Sequence, residues 1–113
     1  MEKSRIIAVD FDGTLCMNNW PDIGEPNKNL IDYLIKAREK GHKLILWTCR
    51  VDVKLDEAIL WCKDHGLYFD FVNRNADNLI AAFGEDTRKI FADVYIDDRA
   101  WNPYVKSLKD MIP

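Results

Sequence analysis

Three observations predict a parallel α/β fold. Short apolar runs rich in β-branched residues recur along the chain, stretches of helical period separate them, and each run ends in polar side chains. A brief unbroken run of this kind reads as a strand buried on both faces. Alternation of such strands with helices implies right-handed crossovers and a parallel sheet layered with helices. The strands then point the same way, and their polar ends meet at one edge, where open α/β sheets bind ligands.

The elements follow in order. Ile6-Ile7-Ala8-Val9 is the first strand, ending abruptly in Asp10-Phe11-Asp12-Gly13-Thr14-Leu15. Cys16 to Asn27 contains proline and glycine among polar residues and reads as a loop. Leu30, Ile31, Leu34, Ile35 and Arg38 recur at helical spacing, and Gly41 suits a left-handed helix end. Lys43 to Trp47 is the second strand, closing on Thr48-Cys49-Arg50. Asp52 is placed to cap a second helix with Leu55, Ile59 and Cys62 on its apolar face, ending at Gly66. Phe69 to Val72 is a third strand, followed by Asn73-Arg74-Asn75. A short helix spans Asp77 to Phe83, stopped by Gly84, and Val94-Tyr95-Ile96 is a fourth strand ending in Asp97-Asp98-Arg99. Pro103 to Met111 reads as a last helix.

With 113 residues and no linker or repeat, the chain forms a single domain over 1–113. The net charge of −3 gives nucleic-acid binding no support, although the balance is partly local. Setting aside Asp10, Asp12, Asp97 and Asp98 leaves the acidic residues nearly matched by the 16 basic ones, so a nucleic acid is not excluded as substrate. No apolar run approaches the ~18 residues that span a bilayer. The four apolar residues before Asp10 are too few for a signal peptide. Three cysteines without a CxxC pair argue against a disulfide framework or zinc site and point to a reducing cytoplasm.

Convergence of the strand ends gathers Asp10, Asp12, Thr48, Asn73, Asp97 and Asp98. At an effective dielectric near 20, two carboxylates about 5 Å apart repel by roughly 3 kcal/mol. Such a cluster needs a cation or a proton. Oxygen ligands without histidine favour a hard divalent ion, and carboxylates with a phosphate and waters suit Mg²⁺.

On these residues the chain resembles the haloacid dehalogenase superfamily of phosphohydrolases. Asp10-Phe11-Asp12-Gly13-Thr14-Leu15 is similar to its first motif, DxDGT; Thr48 to the second motif's Ser or Thr; Lys89, with Arg88 beside it as the other candidate, to the third motif's basic residue; and Asp97-Asp98 to the fourth motif's acidic pair. The resemblance implies a Rossmann-like parallel sheet of about four to five strands in the order 3-2-1-4, with helices on both faces. It further implies that Asp10 attacks phosphorus to form an aspartyl-phosphate, and that Asp12 protonates the leaving oxygen and later activates water. Gly13 lets backbone N–H groups approach the phosphoryl oxygens, Thr48 donates to one, and Lys89 offsets its charge. Mg²⁺ would be held by Asp10, Asp12 through its carbonyl, and Asp97, with Asp98 in support. An acid at Asp12 points to phosphoryl transfer, because a halide leaves without a proton.

The gaps after the first and third strands are too short for an inserted domain, so the chain resembles the capless class. An open site of that class suits a bulky phosphorylated substrate such as a nucleotide, a nucleic-acid end or a phosphoprotein, or borrows a lid from a second subunit of a homo-oligomer. Arg50, Asn73 and Arg99 follow strand ends and are candidate substrate contacts, as is Gly13; each also has a plain reading as a turn residue or solvated charge. Trp20 and Trp101 could stack on a base or sugar, or simply pack locally, while Trp47 and Trp61 read as core. Cys16 and Cys49 read as buried thiols. Two alternatives to an enzyme stand beside this reading. One is a magnesium-binding homologue without turnover. The other is a receiver-type signalling module, which needs an aspartate where Asn73 stands.

Overall fold

The computed structural model describes residues 3–100 and 102. Residues 103–111, expected to be helical, and Trp101 lie outside this range. The first strand, β1 (Ile6–Val9), is central: β4 (Lys43–Leu46) pairs with it on one side and β6 (Val94–Ile96) on the other, both parallel. β5 (Phe71–Val72) adds outside β4, so the sheet runs β5-β4-β1-β6. The third strand is shorter than the apolar pattern of 69–72 predicted, because Asp70 turns its carboxylate onto the Leu44 N–H at 2.8 Å and only then does the ladder begin.

Side chains alternate across the sheet. Ile7, Val9, Leu44 and Leu46 face a core built with Ile31, Leu34 and Ala37 of α1 (Lys28–Glu39) and Ala58 and Cys62 of α2 (Asp52–Asp64). Ala8 and Ile45 face the other way, against Ile90 and Ala92, with Ile6, Trp47 and Phe71 partly buried around them. Among the described residues that second layer is an irregular segment with no helix of its own.

Some helix ends are closed by the chemistry of their sequences, whereas α2 and α3 (Asp77–Phe83) start at Val51 and Ala76 without a side-chain cap. Asn27 accepts from the Leu30 N–H to start α1, and Gly84, at φ 84°, ends α3. Asp52 does not cap α2: the preceding residue, Val51, holds the cap position without a side-chain bond. The turn before it is shaped by Thr48, whose hydroxyl accepts from the Arg50 N–H at 3.1 Å.

The segment 16–27, expected to be a loop, is instead an antiparallel hairpin, β2 (Cys16–Asn19) with β3 (Asp22–Pro26). It closes through a cis Trp20–Pro21 bond and returns the chain to α1 with Asn27 N–H donating to Leu15 C=O.

Candidate functional site

Ladder hydrogen bonds continue one residue past the strands and fix the positions of the polar ends. Asp10 N–H donates to Ile96 C=O, Trp47 N–H to Val9 C=O and Asn73 N–H to Leu46 C=O, all within 2.9 Å. Asp10 is thereby set beside Asp97, and Thr48 beside Asp10. Carboxylate oxygens of Asp10, Asp97 and Asp98 lie within 4.8 Å of one another. Thr14 ties this group together: its hydroxyl donates to Asp10 Oδ2 and accepts from the Asp98 N–H, both at 3.2 Å.

Gly13 is required twice over. Its φ of 83° is in the left-handed region, and a Cβ there would overlap the Asp98 carboxylate. The space that the glycine opens is taken by the Asp98 carboxylate, and the Gly13 N–H donates to Cys16 C=O at 2.9 Å.

The cluster is electrostatically uncomfortable as it stands. Burial, chiefly, and then the neighbouring charge of Asp97 push the Asp10 carboxyl up to about 6. Three hard oxygen donors so close together fit a divalent cation of the magnesium or calcium kind, whose charge would remove that penalty. The side chains that could hold one are Asp10, Asp97 and Asp98.

Asp12 is not among them by its side chain. Its carboxylate turns away and receives a two-point salt bridge from Arg50, Nη2 to Oδ1 at 2.7 Å and Nε to Oδ2 at 2.9 Å. Only its backbone carbonyl remains for the metal role expected of it. The alternation follows from the chain leaving β1: residues two apart no longer share a face once the turn at Phe11–Leu15 has begun, with Leu15 N–H donating to Phe11 C=O at 3.0 Å.

Arg50 corrects the sequence reading. It is neither a solvated charge nor an anion-steering contact, for it is only 1% exposed. Beyond Asp12 it donates to Pro21 C=O (3.3 Å) and Asp22 C=O (2.9 Å) at the hairpin turn, and its guanidinium lies about 5 Å from the rings of Phe11 and Trp20. No local pattern marks a residue whose partners are nearly forty and thirty positions away; the only signal was an arginine two residues after the Thr48 that ends a strand.

Asn73 is likewise committed to the protein. It adopts φ 53°, and its side-chain oxygen accepts from the Thr48 N–H at 2.8 Å, so it positions Thr48. Asn75 is fully buried among Asp86, Thr87 and Phe91, and Arg74 bonds Asp77. Lys89 stays exposed with its ammonium 5.8 Å from the Tyr95 ring, and among the described residues it pairs with none of the aspartates.

Two clefts open on this edge. One, of about 210 Å³, is lined by Asp10, Trp47, Thr48, Cys49 and Asp97. The other, of about 340 Å³, is lined by Asp12, Asn18, Trp20, Cys49, Arg50 and Arg99. Trp20 is more than half exposed at the lip of the second, and Arg99, whose N–H donates to Asp97 Oδ1, is also exposed there. Cys49 stands between the two clefts and is exposed, contrary to expectation, whereas Cys16 and Cys62 are buried. A separate cleft of about 290 Å³, around Arg38, Glu39 and Tyr68, includes none of these residues.

No family model matches the chain. No curated protein matches it either. Among solved structures it is similar to a conserved protein coded by a locus of Bacteroides thetaiotaomicron, with 40% sequence identity and a TM-score of 0.76 over 87% of this chain and 78% of that one.

Proposed function

The chain belongs to the family of that conserved Bacteroides thetaiotaomicron protein, and we propose that it is a magnesium-dependent phosphohydrolase of the haloacid dehalogenase superfamily, acting on phosphate monoesters. One observation carries this reading. Asp10 and Asp97 line one cleft with Thr48 and have the Asp98 carboxylate close by, while Asp12, two residues from Asp10, lines a second cleft next to it.

That division suits a displacement at phosphorus. A phosphoryl group in the first cleft meets Asp10, whose Oδ2 is oriented by the Thr14 hydroxyl. Attack by the carboxylate forms an aspartyl-phosphate and splits one hard step into two. The leaving oxygen departs toward the second cleft, where Asp12, carrying a proton when substrate is bound, gives it up; the carboxylate so formed takes a proton from the water that hydrolyses the intermediate, which restores the acid and releases phosphate. Arg50 occupies about two of the four lone-pair sites on the Asp12 carboxylate and leaves the others for these transfers. Thr48 keeps its own hydrogen free to donate to a phosphoryl oxygen, because its bond with Arg50 uses only a lone pair. Mg²⁺, when held by Asp10 and Asp97 with Asp98, offsets the repulsion between the phosphate and the attacking carboxylate.

The parallel order β5-β4-β1-β6 supports the superfamily reading. So does the short material between strands: a hairpin after β1, and α3 with a loop before β6. Neither folds as a cap, which favours an open site and a bulky phosphorylated substrate, a nucleotide or a nucleic-acid end among them. A cytoplasmic setting accords with the unpaired cysteines. The receiver alternative lacks its acceptor, since the end of β5 carries Asn73 with its amide oxygen already bonded.

The test is hydrolysis of p-nitrophenyl phosphate with and without Mg²⁺. Wild-type turnover that requires the ion, lost in Asp10→Asn and cut at least ~100-fold in Asp12→Asn, is the expected result. Equal rates in all three proteins would remove the assignment.

A further inference from the structure

Resting on the phosphohydrolase reading, we infer that Arg50 is a positioning residue that joins the placement of Asp12 to the closure of the β2–β3 hairpin. A guanidinium removed from water must find acceptors for its donors. Arg50 spends its donors on two destinations. Nε and one Nη2 hydrogen hold both oxygens of Asp12; the other Nη2 hydrogen and Nη1 hold Asp22 C=O and Pro21 C=O.

Backbone contacts join the Asp12 turn to the base of the hairpin at Cys16, and Arg50 extends that connection to the tip. Asp12 sits in the turn after β1, and the two carbonyls sit at the hairpin tip. The hairpin has little apolar grip of its own at that end: Met17, Asn18, Asn19, Trp20, Pro21 and Asp22 are all exposed. The Trp20 ring, 4.9 Å from the guanidinium, covers Arg50 and walls the cleft into which Asp12 projects. A planar fork is the group that can fix a carboxylate at two points and still reach carbonyls beyond it. Lysine offers charge without that geometry. Arg50 therefore does not meet substrate. It sets the direction in which Asp12 exchanges its proton, and Asp12 in turn keeps the cleft wall in place.

Arg50→Lys provides the test, read first by the dependence of kcat/KM on the leaving group. Nitrophenolate departs without a proton, whereas an alkoxide needs one. A misplaced Asp12 should thus lower kcat/KM for benzyl phosphate at least ~10-fold more than for p-nitrophenyl phosphate. An equal loss on both esters would overturn the inference, since general damage to the fold does not distinguish leaving groups. The second reading is amide hydrogen exchange. In Arg50→Lys, and in Asp12→Asn where the arginine remains, hairpin amides of residues 18–23 should exchange at least ~10-fold faster while those of β4 hold. Unchanged hairpin exchange in Asp12→Asn would also overturn it, even if Arg50→Lys does not fold. If the wild-type protein hydrolyses neither ester, the functional reading falls, and the exchange measurement still decides whether Arg50 couples Asp12 to the hairpin.

Discussion

At the scale of single residues, Asp10 is the side chain whose environment is least comfortable in the free protein. Its carboxyl is raised from an ordinary 3.8 to about 6, by burial first and by Asp97 second. Between those pH values the folded chain holds a proton that the unfolded chain has released. Stability from this group therefore falls as pH rises from about 4 to about 6, and the full penalty remains above 6. Asp10→Asn removes the charge. Without divalent ions at pH 7.5 it should be more stable than wild type by about 1 kcal/mol in urea unfolding, once solvent screening of a partly exposed group is allowed for. At pH 4 the gain should vanish. A variant less stable than wild type at pH 7.5 would mean that the carboxylates do not repel one another there.

The residues also differ in how openly the sequence declared them. Asp10, Asp97 and Asp98 announced themselves because each ends a strand whose pattern was plain, and parallel strands must bring their ends together. Arg50 could not be placed the same way. A basic residue in a turn has the same local appearance whether it is solvated or drawn inward, and its burial depends on Asp12 and on two carbonyls that only the folded hairpin presents. Lys89 shows the opposite case, a residue chosen by motif order that the fold leaves exposed near Tyr95.

At the scale of elements, periodicity decided what could be read. α1 and α3 have clear apolar spacing and definite stop signals, and their bounds are close to those expected. The β2–β3 hairpin has neither: Met17-Asn18-Asn19 lacks alternation, and its strands are held by Arg50 and by the chain's return to Leu15 more than by an apolar face. The segment after α3 was similarly opaque, since it is organised by one buried amide. Asn75 donates to Asp86 Oδ1 at 2.8 Å and Thr87 Oγ1 at 3.1 Å, and accepts from the Phe91 N–H at 2.7 Å. Its bonds also hold the Asp86 carboxyl below its ordinary value. Asn75→Ala leaves those groups without partners and should destabilise the protein by about 2–4 kcal/mol, seen as a lower urea midpoint at unchanged slope. An unchanged midpoint would show that the loop is held by other means.

At the scale of the whole molecule, the sheet edge is a folding penalty that a bound cation would convert into stability. Because the ion binds only the converged aspartates, magnesium at about a hundredfold its Kd should add ~2.7 kcal/mol and raise Tm by on the order of 10 °C. The rise should shrink at pH 5, where a proton competes for Asp10, and should be lost in Asp10→Asn. A Tm indifferent to millimolar magnesium at pH 7.5 would show that the cluster does not bind the ion.

The exposure of Cys49 has a practical consequence. Cys62 is buried with its thiol pushed up to about 12, and burial also raises Cys16. A maleimide dye at neutral pH should consequently attach once per chain, at the ridge between the two clefts. The native sequence thus carries its own reporter position, where a fluorophore would register a phosphorylated compound arriving on either side.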